Sequence, residues 1–426
     1  MPRRRMIAIA FLALVLIAAP FLPRGGDDSG PDGTLSSSDR LAHATAGRGQ
    51  LTPAMQREID AVVASGRTAA HAAKGVHPSP AELVRSEVRC ADLGGQQYCL
   101  HTGWTSRPET EVVGELAASA RVEARQQPAE STGDLDLLAS LRQHARLTPR
   151  AQAAADRAEL TDAAASVAKV WLLRHQLQGI PLPEGFTDDH PEIQLPDDTG
   201  AGTSARAQMS ATTVTTSPIP ATSPSPTATA SPVKPAWKYT PTSTVLRRDR
   251  VAEQAKSYWC GPTTMQMIGW GWTGTKRTQK TWAERLGTTT NGTAITDMVR
   301  VTNRYTGWDR DDRAGRYVTL DISDWTYPQW WLLNMRHYAD YRAPIILHPV
   351  LLKRFFPYLD DDASGHFQVG RGYAKNGADP NTISFFEPWN QQRFDPSEPY
   401  IARVQWRSAY RSYRANKAHF QHNLGV

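Results

Sequence analysis

Cysteine is scarce in this chain: three among 426 residues, too few for the disulfide-dense scaffold of a small secreted protein. Long apolar runs are scarcer still. Only residues 6–22 are uncharged and almost wholly apolar, which excludes a multi-span membrane protein. A surplus of one charge is missing too. Forty-eight lysines and arginines face 42 acidic residues, a net +6, far from the dense basic face of a nucleic-acid binder. No nucleic-acid partner is expected. With 40% apolar and 21% charged residues the chain is not disordered throughout. Its length asks for two or three folded pieces rather than one core.

What is present begins with Arg3, Arg4 and Arg5, followed by the apolar run 6–22. A basic cluster ahead of such a run is an export signal. Positive charge stays on the cytoplasmic side. The rest of the chain is therefore expected to be extracellular, either secreted after cleavage or anchored to the outer face of the cytoplasmic membrane by residues 1–23. The membrane is then touched through that segment only. Residues 24–50, rich in Gly, Asp, Ser and Thr, read as a flexible spacer. From 51 to 190 the chain is mainly helical. Leu51-Thr52-Pro53 and Leu147-Thr148-Pro149 each set Thr as N-cap and Pro at the first helical position. In the second helix, Leu160, Ala164, Val167, Val170 and Trp171 recur at helical spacing. The histidines of this region (His71, His77, His101, His144, His175) lack metal-ligand spacing and read as surface or ordinary core residues.

Cys90 and Cys99 are placed symmetrically about Gly94-Gly95. Gly-Gly suits a two-residue hairpin loop, whose central residues need positive φ. Counting outward, 90 and 99 fall on a non-hydrogen-bonded pair, close enough for a disulfide. That bridge is expected to stabilise the fold by roughly 2–3 kcal/mol. Residues 191–245 form a linker whose stretch 201–235 holds 27 Ala, Ser, Thr or Pro. The texture then changes: 11 of 13 tryptophans lie from Trp237 onward, so residues 246–426 are expected to form a well-buried domain.

With two cysteines paired, Cys260 is left over. Gly261-Pro262 and the residues after it read as a helix starting at the cysteine. A helix N-terminus favours thiolate and should lower the thiol pKa below about 8.5. Gln254, six residues upstream, and the Cys260 backbone N–H form a candidate oxyanion-holding pair. Such a nucleophile needs an imidazole. His366 opens an expected strand just after Gly365, ahead of His348, His337, His419 and His422 as candidates. Glu387, closing the next strand, would fix its tautomer, with Asn390 as the alternative. The aromatic run from Trp325 to Trp331 lines a groove or packs between helix and sheet.

Gln254-x5-Cys260-Gly261-Pro262, a Gly365-His366-Phe367 strand and a closing Glu387-Pro388 together resemble the papain-like cysteine peptidases. More narrowly they resemble the branch of bacteriocin double-glycine leader peptidases and their stand-alone secreted relatives, over about residues 250–390. The resemblance implies an α+β fold, with a Cys-bearing helix packed on an antiparallel sheet. It implies hydrolysis of peptide or amide bonds through Cys260, His366, Glu387 and Gln254, without metal or cofactor. Glu387 departs from the Asp usual in that family. Peptides or proteins are the implied substrates, and cell-wall components are candidate partners of the N-terminal helices. Two alternatives use the same fold: an inactive binding module, and an acyltransferase using the same thiol.

Overall fold

The structure is a computed structural model that describes residues 37–72, 78–125, 131–196, 233–377, 380–389, 391–394, 396 and 400–426. The expected export segment, most of the Ala/Ser/Thr/Pro-rich stretch, His77 and Asn390 lie outside the described residues.

A ten-stranded sheet runs through the molecule. From one edge its strands are Val404–Ser408, Thr382–Phe386, Gln368–Ala374, Ile345–Leu347, Asn423–Gly425, Thr319–Asp321, Gly103–Thr105, Gln97–Cys99 and Cys90–Asp92. The tenth, Thr242–Thr244, also pairs with Gln368–Ala374, although it falls where linker was expected. All pairings are antiparallel except that of Gly103–Thr105 with Thr319–Asp321. At this parallel junction Trp104 lies opposite Leu320. Two pieces divided by a linker were expected, yet sheet and core cross that division. Leu100, Trp104, Leu160 and Val170 pack in one cluster with Leu320, Trp330 and Leu333.

The hairpin forms in the expected register. Gly94 and Gly95 take φ of 64° and 76°, Cys90 pairs with Cys99, and the disulfide is closed. Helices Pro53–Ala72 and Pro149–Ala164 begin at the expected caps. The Thr52 and Thr148 hydroxyls accept from Met55 N–H and Ala151 N–H, both at 3.2 Å.

Two expectations need correction. The stripe from Leu160 to Trp171 is divided between Pro149–Ala164 and a second helix, Val167–Gln178. Ser166 turns its hydroxyl back on the Ala163 carbonyl at 2.8 Å, and Gly49 N–H captures the Ala165 carbonyl at 2.8 Å. Such local bonding competes with helix continuation. Within the expected spacer, Ser37–His43 is helical and Thr45–Ala46 pairs with Ile193–Gln194. Tertiary contacts order it: buried Arg336 donates to the carbonyls of Ala42 at 2.6 Å and Ala44 at 3.2 Å.

Helix Cys260–Thr273 buries Met265, Met267 and Ile268, and Thr264 Oγ1 donates to the Phe367 carbonyl at 3.2 Å. This contact seats the helix start beside the chain entering strand Gln368–Ala374. Trp325, Trp330 and Trp331 are buried in the core, so they pack rather than line a groove.

Candidate active site

Cys260 is the first residue of its helix, and the first turn closes with Thr263 N–H on the Trp259 carbonyl at 3.0 Å. The backbone amides of Gly261 and Phe367 lie near enough to the sulfur to favour its thiolate form. Phe367 is the chain neighbour of His366, whose own N–H is fixed on the Pro349 carbonyl at 2.9 Å. The thiol therefore lies beside the stretch of chain that carries His366.

The His366 ring is oriented by Glu387. Its Nε2 lies 2.7 Å from Glu387 Oε1. The same carboxylate accepts from Trp389 N–H at 2.9 Å, Gln368 Nε2 at 2.6 Å and Tyr358 OH at 3.3 Å. Burial alone would raise the Glu387 pKa, but the charge and hydrogen bond of His366 hold it below the usual carboxylate range. A carboxylate bonded at Nε2 places the proton there and leaves Nδ1 as the basic nitrogen. Nδ1 is buried and has no hydrogen-bond partner. The longer glutamate side chain thus reaches the position expected of it.

Gln254 is fully buried. Its amide nitrogen donates to the carbonyls of Ser257 at 2.8 Å, Lys256 at 3.0 Å and Thr132 at 3.3 Å. Cys260 N–H also points to the Thr132 carbonyl, at 3.4 Å. The two expected oxyanion donors therefore converge on one oxygen, and that oxygen comes from the region before the linker. The surrounding segment is held along its length. Thr132 N–H donates to Ser364 Oγ at 3.0 Å and its hydroxyl to the Gly365 carbonyl at 2.6 Å. Thr293 accepts from Leu135 N–H at 2.9 Å and donates to the Gly133 carbonyl at 3.0 Å. Asp134 meets His348 Nε2 at 2.9 Å and His419 Nε2 at 2.8 Å. Sequence reasoning missed residues 132–135. Thr-Gly-Asp reads locally as a turn, and no motif links it to Gln254, 122 residues away.

Cys260 itself is fully buried, and this overturns the expected lowered thiol pKa. Burial pushes the thiol well above its ordinary value, and the carboxylates of Asp134 and Glu387 push in the same direction. The two backbone amides pull the other way without prevailing. In this arrangement the sulfur carries its proton.

The rival histidines have other partners. His337 bonds the Ala343 carbonyl at 3.2 Å, and His422 the Lys417 carbonyl at 2.7 Å. His348 Nδ1 faces Asn423 Oδ1 at 2.8 Å. His419 Nδ1 accepts from Gln421 N–H at 3.1 Å, so its Nε2 carries the proton donated to Asp134.

Two groups place three potential metal-ligand atoms within 4.8 Å of one another: Asp134, His348 and His419, and Glu87, His101 and His144. In the first, a metal would have to displace the His419 proton. In the second, His144 already lies between Glu87 at 2.7 Å and Asp156 at 3.0 Å. His101 and His144 are buried, core residues as one of the two expected readings had it; His144 is paired with carboxylates, while burial pushes the His101 pKa down to about 3. A cavity of about 310 Å³ between the N-terminal helices and helix Ile295–Tyr305 is lined by Trp104, Glu159 and Arg300 and does not include Cys260.

Residues 248–417 match the sequence profile of the Peptidase_C39 like family, which supports a C39-type cysteine peptidase domain there. The matched stretch holds Gln254, Cys260, His366 and Glu387, and nothing before the linker is part of it. No curated protein and no solved structure matches the chain.

Proposed function

We propose that this protein is an exported cysteine peptidase, cutting peptide bonds of peptide or protein substrates through Cys260, His366, Glu387 and Gln254. The observation that carries this reading is the state of His366. One ring nitrogen is locked on a buried carboxylate and the other is without a partner, and the next residue, Phe367, lies against the start of the Cys260 helix with its amide near the sulfur. The family match at residues 248–417 supports the same chemistry, and export rests on the basic and apolar N-terminal run.

The steps follow from these positions. With a substrate bound, His366 Nδ1 takes the Cys260 proton and the sulfur attacks the scissile carbonyl carbon. Negative charge gathers on the carbonyl oxygen, where Cys260 N–H and the Gln254 amide donate. The C–N bond breaks as the imidazolium passes its proton to the departing amine, leaving a thioester. Water then attacks the thioester carbonyl and gives its proton to Nδ1. The thiolate departs, recovers that proton, and the acid product leaves. Glu387 keeps Nε2 protonated and steadies the imidazolium at each transfer.

A peptidyl epoxide, which needs both thiolate and a proton donor, tests this directly. Modification of Cys260 in the full chain is expected to fall by about 100-fold or more in His366→Ala. Access to the sulfur is common to both proteins, so the ratio reads activation alone. Equal rates would refute the peptidase reading and leave a binding module.

A further inference from the structure

We propose that residues 132–135 are a built-in plug, occupying the peptide-binding cleft at Cys260 and keeping the folded chain latent until they are displaced. The inference rests on Cys260 being the nucleophile, and adds what controls it.

The plug engages the site as a substrate would. Its Thr132 carbonyl oxygen takes both oxyanion donors, Cys260 N–H at 3.4 Å and Gln254 Nε2 at 3.3 Å. Its backbone pairs with Thr293 as an added strand would, accepting at Gly133 and donating at Leu135. Thr132 is fully buried and Asp134 is 5% exposed, so no second peptide can share the place.

The fit depends on two missing side chains. Gly133 has φ of +102°, and a Cβ there would lie 2.2 Å from the Tyr258 carbonyl carbon. Across the segment, a Cβ on Gly365 would lie 2.2 Å from Asp134 Oδ2. A bulkier residue at either position would lift the segment away.

Asp134 does two things. Its carboxylate anchors the plug on His348 and His419. Its charge, with burial, also keeps the sulfur protonated. The segment that offers a carbonyl to the nucleophile thereby suppresses the attack that would cut it. Because the flanking region shares the sheet and core of the peptidase-like part, the plug is presented at a high effective concentration.

The rate of iodoacetamide labelling of the full chain reads the plug, since Cys260 is the one free thiol beside the Cys90–Cys99 bridge. The native chain is expected to label at least 100-fold more slowly than the unfolded chain. Gly133→Ala and Asp134→Asn should each speed labelling at least tenfold while circular dichroism stays native. Gly114→Ala is the control, since a Cβ there meets nothing within 4 Å. If both variants stay folded and label at the native rate, the proposal is overturned.

Should either variant fail to fold, hydrogen exchange on the native chain decides. The amides of Thr132, Leu135 and Cys260 are expected to be protected together. Fast exchange at Thr132 and Leu135 with a protected Cys260 would overturn the plug. Failure of the peptidase reading looks different: Gly133→Ala would still label fast with iodoacetamide, while adding His366→Ala would leave the epoxide rate unchanged.

Discussion

The carboxylates of two buried carboxylate–imidazole arrangements bear on the Cys260 sulfur, and they differ in how many imidazoles share the carboxylate. In the first, Glu387 takes His366 Nε2 and Nδ1 is left without a partner. In the second, one carboxylate, Asp134, faces two imidazoles, His348 Nε2 at 2.9 Å and His419 Nε2 at 2.8 Å. Asn423 Oδ1 and Asp134 face the two nitrogens of His348, and His419 lies between Gln421 N–H and Asp134. The carboxylates also differ in origin. Glu387 is positioned by donors of its own neighbourhood, whereas Asp134 arrives from a residue 285 positions before His419. In the proposed reading the first arrangement serves the reaction and the second its restraint.

The sharpest way to break this comparison is to remove one imidazole from each arrangement. His366→Ala should lower the rate of epoxide modification by about 100-fold or more. His419→Ala, which removes an anchor of Asp134, should raise it by roughly tenfold. Equal and like-signed effects would erase the distinction.

A third arrangement, Glu87–His144–Asp156, extends the comparison to a purely structural case. Burial would lower the His144 pKa, but the Asp156 and Glu87 carboxylates outweigh it and raise the value to about 9. Its stabilisation is complete below the unfolded pKa of about 6.5 and is lost as pH rises through about 9. Thermal unfolding should show that loss, on the order of 3 kcal/mol, and His144→Gln should flatten the profile. An unchanged profile in the variant would show that the network carries no charge.

Lys169 supplies the smallest effect and the opposite case, a buried amine whose nearest charged influences are Arg336, which repels it, and Asp309, which does not hold it in a hydrogen bond. Its Nζ lacks a hydrogen-bond partner and lies 5.1 and 5.7 Å from the Tyr317 and Tyr341 ring centres. Burial pushes its pKa well down. The unfolded chain therefore binds the extra proton, and this penalty shrinks as pH rises toward about 10.5. Lys169→Met should add about 1 kcal/mol near neutral pH, less in alkali. A lower melting temperature would contradict it.

Local chemistry was the legible part of this sequence. Gly94-Gly95 set the hairpin register and with it the disulfide. Gly261-Pro262 marked the helix start at Cys260, and Glu387 could be matched to His366 because they flank adjacent strands, His366 two residues before Gln368–Ala374 rather than opening it as expected, and Glu387 one residue after Thr382–Phe386. Contacts over long separations left no local trace. Thr132–Leu135 has neither hydropathy period nor motif, and its place is set by Thr293, Ser364 and His419. The expected thiolate failed for the same reason: a helix N-terminus is visible in sequence, but the burial and the Asp134 charge that outweigh it come from elsewhere in the chain. The spacer was misread because alanines 42, 44 and 46 carry little signal until Arg336 and the core enclose them.

The most direct measurement is a crystal structure of the Gly133→Ala chain carrying a peptidyl epoxide on Cys260. The account predicts the probe's carbonyl oxygen in the position now held by Thr132, accepting from Cys260 N–H and the Gln254 amide, with His366 Nδ1 facing the new bond. A probe attached elsewhere, or attached to Cys260 with Thr132 still on those two donors, would contradict it.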